Sequence, residues 1–181
     1  MAIPRKQRHV LYTIGHSNHP FGEFVELLTT HAIKEVVDVR TIPKSRHNPQ
    51  FNEKRLAASL KKKGIRYRRI EALGGFRPVR KDSKNLGWHN LSFRGYADYM
   101  STEEFAEGLT ELETTAKKQR TAIMCAEALP WRCHRSLIAD ALTKQKWEVL
   151  DIMSRASASK HRLTPFLRVR GGKCIYPVPE K

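Results

Sequence analysis

Eleven residues, Cys125-Ala-Glu127-Ala-Leu-Pro130-Trp-Arg132-Cys133-His134-Arg135, carry two thiols, a carboxylate, an imidazole and two guanidinium groups. The stretch reads as the end of a strand, a turn through Pro130 and the start of a helix at Cys133. Unsatisfied N–H groups and the helix dipole at such a start lower a thiol pKa, and His134 and Arg135 add positive character. The same N-terminus attracts an anion, which makes His134 and Arg135 candidate phosphate ligands.

Cys125 ends its strand with Glu127 two residues on, a placement similar to the nucleophile loop of thiol-dependent phosphatases and sulfurtransferases. The spacing departs from that pattern. Arg132 comes seven positions after Cys125, and Ala128-Leu129-Pro130 stands where backbone cradles usually carry glycine. A nucleophilic thiol and an inert buried one both remain open for Cys125. Cys125, Cys133, His134 and His16 could converge on zinc, but there is no C-x2-C pair and the gap between the cysteines is not a finger spacing. No metal and no other cofactor is therefore expected. A Cys125–Cys133 disulfide suits a loop of that size but is disfavoured in a reducing compartment.

A second constellation is Asp38-Val-Arg40 at the end of an apolar strand. A carboxylate flanked by Val37 and Val39 is costly to bury without a partner, and Arg40 shares its face by the period of two. The pair is either an ion pair organising the sheet edge or an acid–base group beside a phosphate clamp. His16, between Gly15 and Ser17, is a proton carrier beside them or a strand-end histidine bonded to a loop carbonyl. Downstream, Lys44 and Arg46 are further candidate phosphate ligands. Phe51 either contacts a base or staples the helix that Asn52 caps. The Gly74-Gly75 pair serves a close ligand approach or a plain turn.

These groups need elements to hold them. Residues 9–15, rich in β-branched and aromatic types, predict a first strand. Ser17 or Asn18 then caps a helix with Pro20 in its first turn and Phe21, Phe24, Val25 and Leu28 at helical spacing. Strands follow at 35–39 and, as an edge, 65–68, with a helix between them that runs from its Asn52 cap to Gly64. Residues 71–95 lack clear periodicity. Ser101-Thr-Glu-Glu104 predicts a capping box for a helix carrying Phe105, Leu109, Leu112 and Ala116. A strand at 121–125, a helix from Cys133 to about Lys146 and a strand at 147–152 complete the alternation. The expected fold is a three-layer α/β/α domain over residues 1–153 with a mainly parallel sheet, Rossmann-like or flavodoxin-like, and ligands bound beyond the carboxyl ends of the strands. Residues 154–181 form a basic tail, either a flexible arm or packed back through Cys174-Ile175-Tyr176.

The chain has 181 residues, 34 Lys+Arg against 18 Asp+Glu, and a formal charge of +16. Residues 40–94 hold 16 basic and 3 acidic side chains, whereas 95–151 are mildly acidic. An excess placed this way points to a polyanion, nucleic acid first, with Phe51, Tyr67, Phe76, Trp88, Phe93, Phe166 and Tyr176 available to stack on bases. At 40% apolar residues the composition excludes a wholly disordered chain, and three cysteines exclude a disulfide-stapled miniprotein. No apolar run is long enough to span a bilayer, and Met1–Arg8 lack the apolar core of a secretory signal. A soluble cytoplasmic protein without a membrane partner is expected.

The ordered set Thr13-Ile-Gly-His-Ser17, Asp38-Val-Arg40, Ser45-Arg46, Gln50-Phe51-Asn52, Leu73-Gly74-Gly75, Met124-Cys125-Ala-Glu127 and Cys133-His134-Arg135 resembles the family known as domain of unknown function 488, over about residues 11–153. The resemblance implies a three-layer α/β fold and a functional role at His16, Asp38, Arg40, Cys125, Glu127 and Cys133-His134-Arg135. It supplies no reaction. The leading expectation is an enzyme of nucleic-acid or nucleotide chemistry, its reaction open between hydrolytic cleavage at a base or phosphodiester and thiol chemistry. It would bind a phosphate-bearing substrate through Arg40, Arg46, His134 and Arg135, with His16, Asp38, Glu127, Cys125 and Cys133 as reacting groups. A non-catalytic DNA- or RNA-binding module and an enzyme of small phosphorylated metabolites or thiol chemistry are the alternatives.

Overall fold

Alternation of apolar side chains along the strands gives each a residue for either face, and helices cover both. In the computed structural model, which describes residues 8–179, the order is β1 (Val10–Gly15), α1 (Phe21–Thr30), β2 (Glu35–Asp38), α2 (Glu53–Lys61), β3 (Arg66–Arg69), α3 (Leu91–Tyr99), α4 (Glu103–Lys118), β4 (Thr121–Cys125), α5 (Arg135–Lys144), β5 (Glu148–Ile152), β6 (Ala158–Lys160), β7 (Arg168–Arg170) and β8 (Lys173–Ile175). The start of the chain, read above for a secretory signal, lies outside the described residues except for Arg8. Among the described residues no helix is long and apolar enough to cross a membrane.

Six strands form one sheet in the order β3-β2-β4-β1-β5-β6, parallel throughout except that β6 runs antiparallel to β5. Leu11, Val37, Val39, Ile123 and Val149 pack in one core with Tyr96, Leu109, Leu112, Leu137 and Leu142 from α3, α4 and α5. Tyr12, Ile14, Val36, Ala122 and Met124 alternate with them and pack in a second core with Phe24, Leu28, Leu56 and Leu60 from α1 and α2. This is the expected three-layer arrangement. The helices that follow β1 and β2 lie on one face, and α5, which follows β4, lies on the other. A crevice therefore opens beyond the carboxyl ends of these neighbouring strands, as such reversals require.

Several local expectations are corrected. Asn52 precedes α2 but makes no capping bond there; its Oδ1 accepts from the Ser45 N–H at 2.7 Å and shapes the preceding loop. Thr102 rather than Ser101 caps α4, accepting from the Phe105 N–H at 3.3 Å. The stretch read as aperiodic runs into α3, whose first half it holds and which Asn90 caps, its Oδ1 accepting from Ser92 N and Phe93 N. The loop before it is gathered on buried Asp98, which accepts from Arg80 N, Ser83 Oγ and Asn85 Nδ2.

The segment expected as a basic tail packs back on the body. β6 joins the sheet, and β7 and β8 form a hairpin whose two loop residues, Gly171 and Gly172, have φ of +54° and +76°. Only glycine adopts that pair readily, so Gly171 and Gly172 make the turn that joins the two strands. Tyr176 is fully buried, and its hydroxyl donates to Asp140 Oδ2 at 3.0 Å. His161 Nε2 donates to Asp140 Oδ1 at 2.8 Å, and its Nδ1 lies 3.8 Å from Asp151 Oδ2. Burial opposes charge on this imidazole, but the two carboxylates outweigh it and raise its pKa to about 9.

Candidate functional site at the strand ends

The loop after β4 lies directly on the end of β1. His16 N–H donates to the Cys125 carbonyl and Ser17 N–H to the Ala126 carbonyl, both at 2.9 Å. Gly15 permits this, because a β-carbon there would fall 2.0 Å from the Glu127 carbonyl oxygen. Ser17 has φ +46°, a left-handed conformation that turns the chain away from the strand. Around these ends the crevice forms two lobes. One, of about 460 Å³, is lined by His16, Ser17, Asn18, Ser45, Asn48 and Ala128; the other, of about 540 Å³, by Gly75, Phe76, Phe93, Tyr96, Cys133 and His134. Arg40, Ile42, Lys44, Ala126 and Glu127 line both.

Asp38 is fully buried and both its oxygens are occupied. It accepts from Arg40 N at 3.0 Å, from Arg40 Nε at 2.9 and 3.1 Å, from Arg40 Nη2 at 2.6 Å and from the Tyr67 hydroxyl at 2.7 Å. Arg40 also donates from Nη2 to the Phe51 carbonyl at 2.8 Å and from Nη1 to His16 Nε2 at 3.2 Å. The other His16 nitrogen, Nδ1, donates to the Ser17 carbonyl at 2.8 Å, and Phe51 stacks on the ring with centroids 4.2 Å apart. Desolvation is the main reason the His16 pKa falls to about 4, with the Arg40 charge adding to it. His16 is thus neutral, and both of its nitrogens are engaged. Phe51 occupies the core against Phe24 and His16 rather than standing free for a base.

Cys133 does not sit in the first turn of α5, as the sequence suggested. It follows the short turn Pro130–Arg132 in an extended conformation, His134 takes the position before the helix, and α5 begins at Arg135. Cys133 remains close to the other groups: its Sγ is 3.8 Å from His134 Nδ1 and within 4.8 Å of the Cys125 Sγ. The adjacent Cys125 thiol, with the neighbouring His134 and Arg135, holds Cys133 well below the usual thiol range, whereas the proximity of Cys133 and burial raise Cys125. His134 Nε2 donates to the Val39 carbonyl at 2.9 Å, which ties α5 to the end of β2.

Arg135 is not at the surface. The residue is 1% exposed, and its guanidinium donates to Thr13 Oγ1, the Glu127 carbonyl and the Ala128 carbonyl at 2.7 to 3.3 Å. It props the 126–128 loop from beneath. Glu127 is exposed, with Oε1 3.4 Å from the Leu129 N–H. Arg46 is exposed and lines neither lobe. The structure thus brings His16, Arg40, Glu127, Cys125, Cys133 and His134 to one crevice, places Asp38 and Arg135 behind it and leaves Arg46 outside. Ile42 and Tyr96, which line the crevice, carry no signal in the sequence, and Tyr67, read there as a ring available for stacking, instead donates to Asp38. Tyr67 could have been found, since β3 pairs with β2 as expected for an edge strand, and a tyrosine there faces the Asp38 end.

The family model described as Domain of unknown function DUF488 matches residues 20–142, about two thirds of the chain. The chain belongs to this family. The match takes in every candidate group of the DUF488 site except His16, which precedes it. No curated protein and no solved structure matches the chain.

Proposed function

We propose that this DUF488 protein is an enzyme acting on a phosphate-bearing substrate with a flat ring, a nucleotide free or within DNA or RNA, held in the strand-end crevice. The observation that carries this reading is the pairing of a cation and an aromatic at one opening: Lys44 lines both lobes, and Phe76 stands at the rim of the larger one, 79% exposed. Phe76 has φ +54°, a strained conformation for an aromatic residue, and strain of this kind collects at functional sites. Each lobe is of the size that small ligands fill. The formal charge of +16 favours a polyanionic partner.

Within this reading Asp38, Arg40 and His16 are positioning residues. Their donors and acceptors are engaged with one another and with Tyr67 and the Ser17 and Phe51 carbonyls, and they fix the ends of β1 and β2. The groups left to react in the crevice are the Glu127 carboxylate, the Cys125 and Cys133 thiols and the His134 imidazole. The test is binding of labelled single- and double-stranded DNA and RNA, and of free nucleotides, across a salt series, with wild type beside Lys44→Ala and Phe76→Ala. A structure preference weakened by both substitutions supports the reading. Binding indifferent to strand type and to both residues would overturn it.

A further inference from the structure

Three soft or borderline donors converge at the end of β4. The Cys125 Sγ, Cys133 Sγ and His134 Nδ1 atoms all lie within 4.8 Å of one another, and the Cys133–His134 separation is 3.8 Å. A tetrahedral zinc site has S···N and S···S edges of about 3.6 and 3.8 Å, so these atoms reach ligating distance by shifts of about 1 Å or less. The imidazole is already oriented. Its Nε2–H is held by the Val39 carbonyl at 2.9 Å, which leaves the Nδ1 lone pair on the thiol side, the arrangement found behind metal-bound histidines.

The surroundings suit anionic sulfur. Arg135, buried beneath the loop, has only a hydroxyl and two carbonyls as direct partners, and its Nε has none. A buried guanidinium with neutral partners favours negative charge nearby, and two thiolates supply it. All three donors line the larger lobe with Phe76, Phe93 and Tyr96, so a fourth coordination position would face the crevice. Three protein ligands and one open position are the pattern of catalytic rather than structural zinc.

We propose that Cys125, Cys133 and His134 bind one zinc-type divalent cation, with its remaining position open to the strand-end crevice. His16, the fourth residue the sequence offered for such a site, takes no part, because both of its nitrogens are engaged elsewhere. The proposal stands on the donor set alone and holds whether or not the substrate is a nucleotide.

The experiment uses the full chain, stripped with chelator and kept reduced with a phosphine, and titrates it with Co²⁺ and then with competing Zn²⁺. One equivalent of Co²⁺ should give tetrahedral visible bands and a thiolate-to-cobalt charge-transfer band of two-thiolate intensity, bleached by one equivalent of Zn²⁺. Cys174→Ser should leave this unchanged, whereas Cys125→Ser, Cys133→Ser and His134→Gln should each weaken binding tenfold or more. The absence of a charge-transfer band in the wild type, or its persistence at full strength in Cys133→Ser, would overturn the proposal. Should a variant fail to fold, the wild-type band intensity still counts the thiolates and decides the question.

Discussion

Arg40 donates a hydrogen bond from Nη1 to Nε2 of His16 at 3.2 Å, which fixes the imidazole as an acceptor with its proton on Nδ1. A histidine at a strand end beside an aspartate looks like the proton carrier of a catalytic pair. Here the arginine lies between them, and the three side chains form one closed array, Asp38 to Arg40 to His16, with Phe51 as its lid. The carboxylate compensates the guanidinium, and the guanidinium discourages a second positive charge on the imidazole.

Asp38→Asn should therefore act on stability before it acts on chemistry. The substitution leaves the Arg40 charge buried without its partner, and breaking a buried ion pair in this way costs about 3–5 kcal/mol. A urea midpoint shifted by less than 1 kcal/mol equivalent would show that the array is not an ion pair in solution.

His161 should make stability fall at alkaline pH. Its folded pKa is about 9 against an ordinary value of 6.5, so its contribution is complete below pH 6.5 and is lost as pH rises through 9. The shift corresponds to about 3 kcal/mol. Unfolding free energies of wild type and His161→Gln, measured from pH 6 to 10, should converge on the alkaline side. A constant gap between the two curves would remove the charge from this account.

Two glycine-to-alanine substitutions should behave oppositely. Gly15→Ala places a β-carbon 2.0 Å from the Glu127 carbonyl oxygen and must displace the loop after β4, at a cost of about 1–3 kcal/mol or more. Gly22→Ala, in α1, meets nothing within 4 Å and should be neutral or stabilise by about 0.5–1 kcal/mol. Thermal unfolding of the pair checks both signs.

Lys44→Ala and Phe76→Ala should separate charge from stacking. Loss of one phosphate contact lowers the slope of log affinity against log salt by about 0.7–0.9, whereas loss of one stacking ring weakens single-strand binding by about 1–3 kcal/mol and leaves the slope alone. Equal slopes for wild type and Lys44→Ala would take the phosphate away from this lysine.

The central strands and most helices were legible because β-branched runs and apolar spacing speak for themselves in β1, β2, β4, α1 and α4. Helix α3 was not. Gly95 lies in its middle, and the Arg- and Lys-rich residues before it hide the spacing of Phe93, Tyr96, Ala97 and Met100. The site was legible as a list of strand-end residues but not as roles. Nothing local in Asp38-Val-Arg40 reveals that His16 and Phe51 complete its bonding, and nothing in Cys133-His134-Arg135 reveals that the helix begins two residues later than the cysteine. The C-terminal segment was opaque for a different reason. Its order comes from partners far back in the chain, Asp140 and Asn85 for Tyr176, and a composition rich in charge does not announce them.

The two outer strands of the sheet have the most bearing on how copies of this chain meet. β3 presents Arg66 and Arg68 to solvent, and β6 has only three residues and ends in exposed Lys160. Each edge offers unpaired backbone groups, yet a strand added from another molecule would bring like charges together at both. Basic side chains at both rims of the sheet thus work against edge-to-edge pairing of its strands.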